Sequence, residues 1–404
     1  MSVTKYFDIV IIGGGLVGAS LALALKDSPF SVTIVEASPE RELNANDVNA
    51  RSIALSYSSK QIFSGLGVWE QMQAYTTPIH HIHISDRGHF GATRIHANEQ
   101  SVDALGYSIQ AQMVGKSLYD VLTDGVTWLR PATMKAIDLN NKSLTVETEQ
   151  GEQTITTQLV IAADGNFSKT RELLNIKTTT TDYDQSAVVA NITLDRKHGH
   201  KAYERFTEAG PIALLPVDDN HMALVWTATH EQVKQLVELD EPTFLEQLQT
   251  EFGHRAGRFI AASKRMMFPL NLIESHEQVR EGLIILGNAA HALHPVAAQG
   301  FNLALRDVAE LAEVLVAAED AKDLGHQQRL QAYADARQCD QEQTIHFTDT
   351  LLNIFSNELW PLTPIRGLSL AVLDNVSPLK KWLAKRAMGF RGKASRLARG
   401  LTLK

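Results

Sequence analysis

The feature that most constrains the fold is a glycine cluster between two periodic segments. Phe7-Asp8-Ile9-Val10-Ile11-Ile12 is a run of the kind that forms a buried strand. Gly13-Gly14-Gly15-Leu16-Val17-Gly18 follows at once and leads into Ala19-Ser20-Leu21-Ala22-Leu23-Ala24-Leu25, a helical stretch. Each glycine has a physical reason. Gly13 permits a tight turn, Gly15 lets a pyrophosphate approach the backbone, and Gly18 lets the helix pack close to the strand. Leu16 opens the helix beside Gly15 and joins the expected contact set. A second strand, Ser31 to Val35, ends at Glu36, 21 positions after Gly15. A carboxylate there can accept hydrogen bonds from ribose hydroxyls. A lone glycine pattern is weak, but this strand–turn–helix–strand–acid context is strong.

Two further segments carry a strand, a turn and a helix start. Gly282-Leu283-Ile284-Ile285-Leu286 leads into Gly287-Asn288-Ala289-Ala290-His291-Ala292-Leu293-His294-Pro295, and a helical pattern follows from about Gly300. Small side chains at Ala289, Ala290, Ala297, Ala298 and Gly300 let a flat ligand lie against the backbone. A loop opening into a helix also aims N–H groups at one point. Earlier, Gln158 to Ala163 runs into Asp164-Gly165 and then Asn166 to Arg171. Taken singly, each has a plain alternative: a strand–loop–helix joint, or an Asp-Gly turn.

In this order, Gly13 to Gly18, Asp164-Gly165, and Gly287-Asn288-Ala289-Ala290-His291 with Pro295 and Gly300-Phe301-Asn302 resemble the flavin aromatic hydroxylases of the para-hydroxybenzoate hydroxylase type. The run from His294 to Asp307 is similar to the ubiquinone-biosynthesis branch, as are Ser85 to His89 and Tyr203 to Pro216. The resemblance covers nearly the whole chain. Most relatives carry Asp at the position of Asn288. The change removes a charge near the flavin ribityl chain but keeps a hydrogen-bonding side chain.

The resemblance implies FAD bound by Gly13, Gly15, Leu16, Gly18, Glu36, Arg51, Gln112, Asp164, Asn288, Gln299, Gly300 and Asn302. It implies NAD(P)H as co-substrate and dioxygen as oxidant, with one oxygen passing through a flavin hydroperoxide to an electron-rich ring. The implied substrate is a polyprenylated methoxyphenol of ubiquinone biosynthesis, and the implied catalytic residues are His294 and Pro295. An insoluble tail makes other proteins of that pathway, or a membrane surface, natural partners.

Individual residues carry competing readings. Arg51 can meet the cofactor phosphate or cap the ring's polar edge; its alternative is a surface ion pair. Gln112 opens a helix where relatives often place arginine. His81 and His83 share a strand face while His80 points away. No cysteine or acidic pair completes a zinc set, so a polar strand is expected there and no metal. His294 either shapes its turn or assists deprotonation of a phenol, since imidazole titrates near neutrality. Pro211 and Pro216 bound Ile212-Ala213-Leu214-Leu215, expected as an edge or bulged strand that is core or the wall of a greasy site.

The chain has 404 residues, 44% hydrophobic and 21% charged, ample for two domains. The expected fold is α/β (α+β): a Rossmann-like, three-layer FAD-binding domain interleaved with a sheet-based substrate domain. The first takes residues 1–75, 102–182 and 275–379; the second takes 76–101 and 183–274; a basic tail takes 380–404. Strands are expected at 79–85, 187–193 and 221–226, a hairpin from 139–149 and 153–157, and helices at 303–318 and 326–355. Trp360-Pro361 and Thr363-Pro364 are expected to break the helical run. A pocket between the domains excludes water from a reactive intermediate.

Cys339 is the only cysteine, which rules out an intramolecular disulfide and fits a reducing cytoplasm. The N-terminal strand argues against a cleaved signal peptide. Residues 380–404 hold nine basic side chains and no acid, so the rest of the chain carries −17 against a total of −8. Nucleic acid is a poor partner for such a body. The tail, interleaved with Trp382, Leu383, Met388, Phe390 and Leu397, suits either the inner face of an anionic membrane or a solvated helix. Two other functional classes stay open. A flavin halogenase needs a Trp-x-Trp motif, and Trp226 has no such partner. A non-catalytic scaffold would keep the fold without turnover.

Overall fold

The computed structural model describes residues 4–40, 47, 49–356, 370, 372–390 and 394–403. Its base is a parallel sheet in the order β19–β11–β1–β2–β8: β1 (Thr4–Ile12), β2 (Val32–Val35), β8 (Thr127–Leu129), β11 (Gly151–Ala162) and β19 (Leu283–Ile285). Both faces are covered, so Ile9 to Ile12, Val32 to Val35 and Leu283 to Ile285 are buried without alternation. One face carries α1 (Leu16–Leu25), α4 (Ala111–Val121) and α8 (Gln299–Val316). The other packs on a meander of β9 (Ala132–Asp138) and β10 (Ser143–Thr148), through Leu129, Met134, Leu144 and Val146. The expected hairpin is β10 with the start of β11. A short β18 (Val279–Arg280) lies antiparallel to β19.

A larger sheet has the order β20–β17–β12–β15–β14–β13–β5–β6. Its strands are β5 (His81–Asp86), β6 (Ala92–His96), β12 (Thr178–Leu194), β13 (Lys201–Thr207), β14 (Gly210–Pro216), β15 (His221–Thr229), β17 (Met266–Ser275) and β20 (His291–Ala292), with β16 (Phe259–Ala262) paired to β12. Alternation here is clean. Val188, Tyr203, Ile212, Leu214, Leu224 and Trp226 pack outward on α6 (His230–Glu238) and α7 (Glu241–Phe252). Val189, Ala202, Phe206, Ala213, Leu215 and Val225 stand on the opposite face and line a cavity against the first domain. A third sheet joins β3 (Ser52–Ser56), β7 (Gly106–Gln110) and β4 (Thr76–Ile79), with α2 (Tyr57–Gly65) and α3 (Trp69–Gln73) beside it. The chain passes from β4 into the large sheet at His80. It also joins that sheet through β20, part of the loop after β19.

Two expectations are corrected. The proline-bounded segment is not an edge: β14 lies between β13 and β15. Pro211 and Pro216 fall at its ends, so the interior residues keep their ladder N–H groups. The stretch 79–85 is not one strand, because it divides at His80. Trp360-Pro361 and Thr363-Pro364 lie outside the described residues, as do Arg391, Lys393 and Lys404.

Beyond α9 (Gln327–Ser356), the tail forms α10 (Ser377–Ala387) and a turn at Leu397–Arg399. Ala384 and Met388 are buried with Ile95, Ala97 and Leu105, and Leu397 is buried beside α2. A β-carbon at Gly65 would stand 3.0 Å from the Leu397 side chain. The tail therefore packs on the body.

A buried charge network ties α8 to α9. Asp307 accepts from Arg337 (2.6 Å) and Gln341 (3.1 Å), and its other oxygen faces His291 Nε2 at 2.9 Å. Asp340 accepts from Arg306 (2.7 Å) and Arg337 (2.6 Å). Burial opposes both carboxylates, but the two guanidinium groups and His291 outweigh it and hold both below the ordinary carboxylate range. A depressed folded-state pKa gives stability that is complete above the unfolded value of about 4 and is lost as pH falls through the folded value. The midpoint of urea unfolding is therefore expected to fall progressively below pH ~4. Asp307→Asn strands part of the Arg337 charge and is expected to cost about 3–5 kcal/mol. Its measured cost should also shrink in acid; a pH-independent cost would refute this account.

Candidate active site

The glycine turn separates packing from access. Gly13 has φ +99°, and a β-carbon there would lie 2.5 Å from the Ala163 carbonyl oxygen. A β-carbon at Gly18 would collide with the Gly13 carbonyl. Both glycines serve backbone approach within the protein. At Gly15 nothing lies within 4 Å of an added β-carbon, so it faces open space. Gly15 is also the extended N-cap of α1 and supplies no side chain, which leaves first-turn N–H groups uncapped. Glu36 stands behind the turn, accepting from Gly14 N and Ser38 N at 2.7 Å each. Tyr119 donates to the Gly14 carbonyl at 2.8 Å. Arg130 stacks 4.0 Å over Trp128.

The loop between β19 and α8 is held from three sides. Arg171 donates to the Ala289 carbonyl (3.0 Å), and burial lowers its pKa. Asn302 accepts from Ser56 N (2.8 Å) and Ser59 Oγ (2.6 Å), and donates to the Ala54 and Ala298 carbonyls. Its amide is thus spent on joining α8 to the β3–α2 turn. His291 reaches the charge network. Ala298, the N-cap of α8, has φ +50°, a strained value for a residue with a β-carbon. At the start of α5 (Lys169–Leu173), whose N-cap is Ser168, Asp164 accepts through one oxygen from Thr170 N and Oγ1 at 2.9 Å. Its other oxygen, Oδ1, is buried without a partner.

These elements enclose a cavity of about 1140 Å³. Gly15, Leu16, Arg51, Asn288, Pro295, Gln299, Gly300 and Asn302 all line it. Arg51 sits 5.8 Å over the Phe268 ring, and no carboxylate among the described residues pairs with it. Gly13, Gly18, Glu36, Gln112 and Asp164 stand behind the lining; Gln112 donates to Gln110 at 3.1 Å. His294 also lies behind it. The ring is buried, its Nδ1 accepts from Val296 N (3.2 Å), and it meets Tyr183 edge-on at 5.5 Å. Burial lowers its pKa to about 4, so it is neutral at pH 7. His81 and His83 lie on the face of β5 opposite Ile82 and Ile84, which line the cavity. His81 bonds His96 (2.7 Å) and His83 accepts from Arg255 (2.9 Å). Among the described residues no cluster could hold a metal ion.

The supports Tyr119, Arg130, Arg171, Ser56 and Ser59 escape a sequence reading, because they act through partners distant in the chain. Only Arg171 carries a hint, because it closes the Asn166 to Arg171 segment that follows the Asp164-Gly165 turn.

The residues fit FAD. Uncapped N–H groups at α1 and the open side of Gly15 suit a pyrophosphate, and the unpartnered Asp164 Oδ1 suits a hydroxyl donor. Gly15→Val is expected to yield colourless protein; yellow, fully loaded mutant would refute the placement. Glu36→Ala is expected to weaken FAD by about 1.5–3 kcal/mol through a lost charge-assisted contact. Flavin-fluorescence titration measures this, and an unchanged dissociation constant would remove Glu36 from the site.

Comparison with known proteins agrees. The FAD binding domain family matches residues 6–348. Ubiquinone hydroxylase UbiL of Rhodospirillum rubrum is 33% identical, covering 96% of this chain and 91% of its own. The 3-demethoxyubiquinol 3-hydroxylase of Escherichia coli is 30% identical, covering 95% and 98%. The crystal structure of p-nitrophenol 4-monooxygenase from Pseudomonas putida superposes with a TM-score of 0.78 at 16% identity, covering 97% of this chain and all of that one, a likeness of fold. Fold, glycine turn, cavity and relatives together place this chain in the FAD-binding family of aromatic monooxygenases.

Proposed function

We propose that this protein hydroxylates a polyprenylated methoxyphenol ring in ubiquinone biosynthesis, using NAD(P)H and dioxygen. The observation that carries this is the cavity. It runs from the glycine turn along the flavin loop to the inner face of the large sheet, and on to Phe347, Leu351, Trp382 and Leu383. At about 1140 Å³ it exceeds the roughly 300–1,000 Å³ of a single small-ligand site. That supports a cofactor and a second, largely apolar molecule side by side. The activation of dioxygen with electrons from NAD(P)H is the chemistry that FAD supplies when bound. The protein's share is to hold the ring, exclude water and manage a proton. Pro295 and Asn288 belong to the wall. We assign His294 to holding the loop, because its imidazole faces Val296 and Tyr183 and is neutral at pH 7.

The test is product analysis with a short-chain methoxyphenol. Substrate-dependent NAD(P)H oxidation with a product one oxygen heavier is expected. Oxidation without product, or no turnover of any phenol in a panel, would favour the scaffold. His294→Ala is expected to keep FAD but loosen the loop, slowing hydroxylation and flavin reduction together in stopped-flow. A selective loss of hydroxylation alone would instead restore His294 as a proton acceptor.

The apolar tail has a natural exit at α10, and this favours a membrane-facing orientation. Leu379, Trp382 and Phe390 are exposed there, beside exposed Lys381 and Lys385, which have no carboxylate partner among the described residues. No helix among the described residues is long and apolar enough to cross a membrane, so the contact proposed is peripheral. Each cation near an anionic surface contributes about 1 kcal/mol at most, less in salt. Lys381→Glu with Lys385→Glu is expected to lower cosedimentation with anionic vesicles and activity on long-tailed substrate. Activity on a short-tailed analogue should be spared. Binding that is insensitive to salt and to both substitutions would remove α10 as the membrane face.

A further inference from the structure

Among the described residues, Glu204 is the one acid that lines the cavity, set in an apolar wall; Asp86, on the same sheet face at the end of β5, pairs with His89 instead. On β13, Ala202, Glu204 and Phe206 point into the cavity. The cross-strand neighbours of Glu204 are Ile84 on β5 and Ala213 on β14. The next inward residues, Ile82, Leu215 and Val225, are apolar too. Among the described residues, the other titratable ones at the cavity are Arg51 and Tyr203, whose side chain packs on the outer face of the sheet. The Tyr203 hydroxyl is committed to the Arg255 carbonyl at 3.2 Å. Arg205, the next residue along β13, turns to the other side and donates to the Glu251 carbonyl and Ser85 Oγ.

The Glu204 side chain makes no hydrogen bond or ion pair with any described residue, and its Oε1 is buried without a partner. Burial, with no charge acting on it, pushes the carboxyl up to about 7. A carboxyl group left this way destabilises a fold, and an alkyl side chain would pack better. A group that costs stability and opens onto a ligand cavity is a functional candidate.

We propose that Glu204 binds the hydroxyl of the phenolic substrate and accepts its proton. The inference rests on the phenol reading above. The phenol O–H bond breaks as the carboxyl O–H bond forms, and the electron pair stays on the phenolate oxygen. That enriches the ring at the carbon that is oxygenated. The oxygen donor is the family's own reaction. When the ring carbon later gives up its hydrogen as a proton to solvent, the phenolate oxygen recovers a proton from the carboxyl group, which resets Glu204. An apolar wall with one acceptor also sets orientation: the hydroxyl goes to β13 and the remainder of the ring to alkyl groups.

The test uses FAD-loaded protein and a short-chain methoxyphenol, with its O-methylated ether as control. In the parent, kcat/KM is expected to rise with pH to a plateau through a limb near 7, since only the carboxylate accepts the proton. Glu204→Gln is expected to lose that limb and at least tenfold in kcat/KM, while FAD content and substrate-free flavin reduction by NAD(P)H stay at parental values. Glu204→Asp keeps an acid and should retain the limb at a reduced rate. The ether should bind the parent no better than the Gln variant. A Gln variant with parental kcat/KM and pH profile overturns the inference alone. A parent inactive on every phenol of a panel overturns the proposed function, and this inference with it. The two failures are thus distinguishable.

Discussion

Two carboxylates and two guanidinium groups, closed off from water between α8 and α9, hold the functional centre of this molecule together. Their charges balance, and the geometry is short and mutual: Asp307 with Arg337, Asp340 with both Arg306 and Arg337. Such a network adds little net stability over a hydrophobic filling, but breaking one member is costly. It is therefore a device for position. His291 extends it into the flavin loop, and the Arg306 contact to the Asn302 carbonyl extends it toward the β3–α2 turn. The strained Ala298 backbone sits between these anchors. A loop that must present small residues to a flat ring cannot fix itself with its own bulky side chains. It borrows rigidity from a neighbouring pair of helices.

The second constraint is the two-sidedness of the large sheet. Its outer face is an ordinary core of Ile, Leu, Trp and Phe on two helices. Its inner face keeps small and branched residues and leaves a space. A parallel sheet, covered on both faces, could not do this; an antiparallel sheet can. The space is closed from below by the first domain, so the reacting centre is walled by a rigid sheet on one side and a tethered loop on the other. Their meeting is covalent as well as steric, since β20 is both a piece of the loop and the edge strand of the sheet.

Much of this was legible before any coordinates. The glycine turn, the Asp164-Gly165 turn and the Gly287 loop each lie where a strand hands over to a helix, and local chain geometry alone demands those residues. The long helices and the hairpin follow from periodicity. Less legible was β14. Two prolines argue for an edge, yet they occupy the strand's ends and leave an internal strand intact. His294 was similarly opaque: its place beside Pro295 says nothing of its surroundings, and in the fold it is buried against Tyr183 with Nδ1 bonded to Val296 N and Nε2 unpartnered. In the basic tail, the same spacing of Trp, Met and Leu serves a membrane face or a docked helix. Burial of Ala384, Met388 and Leu397 gives those residues to docking and leaves Leu379 and Trp382 exposed.

Glu204 illustrates the boundary most simply. In the sequence it is one acid in a charged run, Glu204-Arg205, of no special promise. Pairing of β13 with β5 and β14 places it among alkyl groups, and only the assembled sheet leaves it half-buried with an unpartnered carboxyl oxygen. The sequence by itself determined the nucleotide fold and the order of its three turns, because those depend on local backbone conformation and periodicity; the flavin was implied by the family resemblance that those turns carry. Tertiary structure alone decided which side chains face the cavity, which histidine is buried and neutral, and which acid stands unpartnered. Direction and desolvation are properties of the assembled sheet, whose strands come from distant parts of the chain.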